Sequence, residues 1–60
     1  MQKPMTIEEA IRILDPATTG EALAEIEYYN GFYGHTACVQ AVSDACEIAV
    51  AIMREKLEGA

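Results

Sequence analysis

The stretch from about His35 to Leu57 constrains this chain more than any other feature. Set at about 100° per residue, Cys38, Val39, Ala41, Val42, Ala45, Cys46, Ile48, Ala49, Val50, Ile52 and Met53 fill an arc of roughly 200° of a helix. Gln40, Ser43, Asp44, Glu47, Arg54, Glu55 and Glu58 take the remainder. An arc that wide is about twice what a helix resting on one neighbour needs. This helix is therefore expected to meet two surfaces, with earlier helices on one side and more of them, or a second chain, on the other. Val39, Val42, Cys46, Ala49 and Met53 also keep the alternating three- and four-residue step of near-antiparallel packing and of a dimer seam.

Size sharpens that expectation. Sixty residues make one small domain, 1–60, and a domain of this size buries only about 60% of the surface its unfolded chain exposes. A single core on this scale rarely supplies more than about 3 to 5 kcal/mol, so a homo-oligomer is expected. Ten acidic residues against four basic ones leave a formal charge of -6, which argues against direct nucleic-acid binding, because phosphate neutralisation needs clustered Lys and Arg. The apolar share of 52% with 23% charged residues reads as globular rather than disordered. No apolar run is expected to approach the ~18 to 20 residues of a membrane span, and no export signal is visible. The expectation is a cytoplasmic protein with no membrane partner.

Two shorter helices precede the long one in this reading. Thr6-Ile7-Glu8-Glu9 fits a capping box, with Met5 placed to staple against Ala10. Ile7, Ala10, Ile11 and Leu14 form one apolar stripe expected to be buried, with Glu8, Glu9 and Arg12 opposite. Asp15-Pro16 stops this helix, because the residue before proline is pushed out of the α region. Thr18 and Glu21 repeat the capping spacing for a second helix that carries Ala22, Leu23, Ile26 and Tyr29 on one face. Asn30-Gly31 is its expected stop, and Phe32-Tyr33-Gly34-His35 is the connector. The predicted fold class is all-α: a short N-terminal helix packed on a two-helix hairpin with a long C-terminal helix, in an oligomer.

All four aromatic residues, the only histidine and two of the four glycines lie between Tyr28 and His35. As packing, Tyr29 and Phe32 plug the open end of a small core and the tyrosine hydroxyls stay wet. As a site, Tyr28, Tyr29, Phe32, Tyr33, Gly34, His35 and Thr36 offer rings to stack on a partner and free amides at a helix N-terminus. Between Arg12 and Arg54 there is no Lys or Arg, which weighs against a highly charged phosphate ligand. A second candidate surface is acidic: Glu21 and Glu25 on one helix, Asp44 and Glu47 on another, suited to docking on a basic protein surface.

Cys38 and Cys46 are separated by roughly 12 Å of helical rise, beyond the ~7 Å that a disulfide spans. Both fall in the apolar arc and are expected to behave as small buried hydrophobes. His35, Cys38 and Glu47 make an incomplete metal set. His35 and Cys38 also lack the orienting partner that a nucleophile pair needs. No cofactor, no metal and no catalysis are expected.

The segments Thr6-Ile7-Glu8-Glu9-Ala10-Ile11-Arg12-Ile13-Leu14-Asp15-Pro16 and Glu21-Ala22-Leu23-Ala24-Glu25-Ile26-Glu27-Tyr28-Tyr29-Asn30-Gly31-Phe32 resemble short acidic accessory proteins of phages and mobile elements of Gram-positive bacteria. The helix from Ala41 to Ile52 is also similar to the helical hairpin of phage proteins that sequester cyclic nucleotides. These resemblances imply a bacterial host and an anti-defence factor. Such a factor either docks on a host protein or holds a small nucleotide signal. A structural protein with an apolar oligomer seam is the third reading.

Overall fold

The computed structural model of the protein describes residues 4–59. In chain order its elements are α1 (Ile7–Leu14), α2 (Thr19–Ala24), β1 (Tyr28–Tyr29), β2 (Phe32–Tyr33) and α3 (Gly34–Glu58). α1 begins at the expected cap: the Glu9 N–H donates to the Thr6 hydroxyl at 3.1 Å. The return arm differs from a full capping box, since the Thr6 hydroxyl donates to Glu9 Oε1 at 3.2 Å. Asp15 ends the helix in an extended conformation (φ -72, ψ 121) ahead of Pro16.

Thr18 stands at the N-cap of α2, as expected, but its side chain makes no cap bond there. Its hydroxyl instead donates to the Arg12 carbonyl at 2.7 Å, while the Thr18 and Thr19 amides both donate to the Asp15 carbonyl. Thr18 thus satisfies the orphan carbonyls at the end of α1, and the turn into α2 is tied to the helix before it.

The larger correction concerns fold class. The chain is not all-α, and the expected two-helix hairpin is absent. α2 stops at Ala24, and the segment expected to continue it forms an antiparallel pair in which Tyr28 faces Tyr33 and Tyr29 faces Phe32. Asn30 (φ 46) and Gly31 (φ 88) supply the two positive φ values of a two-residue type I′ turn, whose twist matches that of the flanking strands. Asn30-Gly31 therefore joins two strands instead of stopping a helix. Tyr and Phe favour a pleated, half-buried surface, and the Gly34 N–H closes the base of the hairpin on the Glu27 carbonyl at 3.0 Å. Gly34 then turns at φ 61 directly into α3, so the expected loop is a strand followed at once by helix.

α3 carries everything else on one side. Its wholly buried residues are Ala37, Ala41 and Ala45, each 0% exposed, one per turn along a single line. Small side chains there let α1 approach closely, and Ala10, Ile13 and Ala22 complete the buried cluster with Ala41 and Ala45. Met5, Leu14, Leu23, Ile26, Tyr29, Val42 and Ile48 pack partly against it. α1 is rolled relative to the expectation: Ala10 and Ile13 face the alanine line, while Ile7 and Ile11 stand 56% and 58% exposed. The result is a slab with Cα extents of 39 × 29 × 15 Å. From Cys46 to Gly59 no residue is buried, and only Ile48 and Ala49 are partly covered.

Candidate functional site: the aromatic hairpin

Alternation along the two strands sorts the aromatic residues onto two faces. Tyr29 points to α3, where its hydroxyl donates to Asp44 Oδ2 at 2.6 Å. Partial burial and then the carboxylate of Asp44 push the Tyr29 phenol up to about 12. This hydroxyl, expected to stay wet, instead fastens the hairpin to the long helix. Phe32, across from Tyr29, keeps 40% exposure, so the plugged core end predicted for the pair is half open. On the other face, the rings of Tyr28 and Tyr33 meet at 4.9 Å between centroids with a 58° tilt. Tyr33 is 72% exposed.

Gly34, His35 and Thr36 follow immediately and are all exposed. The Gly34 amide, expected to be open to an anion, is taken by the Glu27 carbonyl. The acidic faces are likewise partly engaged. Glu25 accepts both guanidinium nitrogens of Arg12, at 2.7 and 2.8 Å, and those hydrogen bonds, then the Arg12 charge, hold its carboxyl below the usual range. Asp44 is the acceptor for Tyr29. Glu21 and Glu47 remain exposed. Among the described residues no group of three or more His, Cys, Asp and Glu side chains converges as a metal site would require.

The two cysteines part company. Cys38 is half-buried, with its thiol donating to the Leu23 carbonyl at 3.4 Å. Cys46 is exposed, contrary to the expectation of burial, because none of the described residues packs over it.

Two concavities lie beside the helices, neither of them lined by Tyr28 or Tyr33, whose face is a platform. One, of about 300 Å³, is an apolar groove between Ile7, Ile11 and Leu14 of α1 and Ile48, Ala49 and Ile52 of α3. The other, of about 470 Å³, lies by Met5, Tyr29, Asn30, Asp44 and Glu47. The groove was missed in sequence because the α1 stripe reads as core. Its signal was present in the alanine content, since a core of alanines cannot use every large apolar side chain on offer.

α3 also corrects the expectation about apolar segments. It is long and apolar enough to cross a membrane by length and composition alone, with a mean hydropathy of 1.4 over an 18-residue window. Asp44 and Glu47 lie near its middle, and each such charge costs about 2.5 to 3.5 kcal/mol at the centre of an inserted helix. Compared with protein-family models, curated proteins and solved structures, the chain matches none.

Proposed function

We propose that this is a non-catalytic binding protein that docks on a protein partner through the aromatic hairpin. The observation that carries the reading is the exposed ring of Tyr33, tilted against Tyr28 on a hairpin held by a type I′ turn and by the Tyr29–Asp44 bond. Rigid aromatic side chains with few rotatable bonds make strong anchors, because little entropy is lost when they are covered. Glu21 and Glu47 supply a negative field that steers a basic partner towards it. The resemblance to phage accessory proteins gives this reading its specific form, an anti-defence inhibitor of a bacterial host protein acting in the host cytoplasm.

Sequestration of a small nucleotide is disfavoured by the charges. Arg12 is engaged by Glu25, and Arg54 lies about 30 Å of helix away from Gly34. The test is capture from a bacterial host lysate with wild-type bait and with Tyr33→Ala, followed by calorimetric titration of the captured protein. The expected result is a one-to-one complex that Tyr33→Ala weakens at least tenfold while the free variant keeps the wild-type circular dichroism spectrum at the assay temperature. Equal binding by Tyr33→Ala overturns the reading. So does a rise in melting point with a nucleotide that depends on Tyr33, which establishes the sequestering function instead.

A further inference from the structure

We propose that the open half of α3 is covered by the same half of a second copy, running antiparallel. This surface shares only Glu47 with the proposed docking face, and the inference stands without that reading. Its first support is a mismatch between core and surface. The buried residues are five alanines and one isoleucine, while Val50, Met53 and Leu57 are 44%, 60% and 77% exposed on one face of α3. The second support is area. The chain exposes 4675 Å², about 900 Å² more than the ~3,800 Å² that the surface–mass relation gives a folded monomer of this mass. Each partner in a stable two-chain interface buries about 800 Å².

Charge then selects orientation and register. Cys46, Val50, Met53 and Leu57 keep a 4-3-4 step that lines one stripe, and Glu47 and Arg54 flank that stripe on the same side. In an antiparallel pair like flanks meet, so Arg54 reaches Glu47 of the partner subunit, and the converse pair forms by symmetry. In a parallel pair opposite flanks meet, and Arg54 confronts the partner's Lys56. A two-fold axis between Ala51 and Ile52 sets Val50 against the partner's Met53 and Cys46 against the partner's Leu57. Moving the axis to the middle of α3 brings Glu47 against the partner's Glu47, a like-charge contact that the other register avoids.

The register places the two Cys46 residues about 16 Å apart along the helices, too far for a disulfide. That separation supplies the test. Light scattering of the full chain at micromolar concentration is expected to give twice the 6.5 kDa chain mass; a monomer overturns the proposal. Mild oxidation is expected to leave Cys38→Ser uncrosslinked and to convert Cys38→Ser/Leu57→Cys into a covalent dimer, which Cys46→Ser abolishes. Leu57 is so exposed that this substitution does not perturb the protomer. A disulfide dimer in Cys38→Ser alone, or no crosslink in Cys38→Ser/Leu57→Cys, overturns the antiparallel register. Arg54→Glu is expected to raise the dissociation constant roughly tenfold, and Glu47→Arg in the same chain to restore it, since the exchange regenerates both pairs. A double exchange that leaves dimerisation as weak as the single one also overturns it.

Discussion

Replacing Tyr29 by Phe removes one oxygen and leaves the ring in place, so it isolates the bond that fastens the hairpin to α3. The 2.6 Å separation from Asp44 Oδ2 lies in the range of charge-assisted O–H···O⁻ bonds. Bonds to charged groups are worth about 1.5 to 3 kcal/mol, and partial exposure of both partners places this one near the lower end, about 1.5 kcal/mol. For a domain this small each kcal/mol moves the midpoint by about 4 to 8 °C, which predicts a fall of about 6 to 12 °C. Asp44→Asn keeps an acceptor and loses less, and in the double variant the two effects should not add, with about 1 kcal/mol of coupling.

The pH dependence has a definite sign. The Tyr29 phenol is raised from 10.0 to about 12 in the folded protein, so its contribution is fully present below pH 10 and is lost as pH rises through about 12. The advantage of wild type over Tyr29→Phe is therefore constant between pH 7 and 9 and shrinks above 10. Circular dichroism melts at one fixed protomer concentration measure this, because the midpoint of a self-associating chain depends on concentration. A Tyr29→Phe midpoint equal to that of wild type, or strictly additive effects with Asp44→Asn, refutes the assignment of the bond as the fastening.

Two further outcomes follow from backbone and packing. Gly31→Ala should cost about 1 to 2 kcal/mol in urea unfolding, although a Cβ there meets nothing within 4 Å, because φ is +88; Gly20→Ala, equally open but with ordinary helical φ, should gain about 0.4 to 1 kcal/mol. Ala41→Leu should lower stability by about 1 to 3 kcal/mol or more, since Ala41 is wholly buried where the short helices meet α3; an unchanged melt would show that the alanine line is not the contact surface.

How far the fold could be read in advance differs from residue to residue. The Thr6–Glu9 cap and the Asp15-Pro16 stop act over one turn, so nearest-neighbour chemistry sufficed. Asn30-Gly31 was legible and ambiguous at once. A left-handed residue closes a helix, and two of them turn a hairpin, so the same dipeptide fits both structures. No strand-like alternation precedes it: Glu25 still ends α2 in helical conformation, and β1 begins only at Tyr28. The aromatic cluster was visible as a group, but its division into an anchor, Tyr29, and a platform, Tyr28 with Tyr33, required the register. The acidic faces lost Glu25 to Arg12 and Asp44 to Tyr29 through contacts 13 and 15 residues apart in sequence, which periodicity cannot reveal.

The sequence by itself determined where the first helix starts and stops and that the C-terminal helix is long and apolar over too wide an arc, because capping, proline sterics and helical period are local effects. Only the tertiary structure decided that residues 28–33 form a strand–turn–strand hairpin. A helix of two turns is too short to hold itself, and this segment is held by the Asp44 carboxylate of a distant helix. Tertiary packing also chose which apolar residues go inside. The line of Ala37, Ala41 and Ala45 admits small neighbours at close range, and once it was filled by Ala10, Ile13 and Ala22 no interior remained for Ile7, Ile11, Met53 and Leu57.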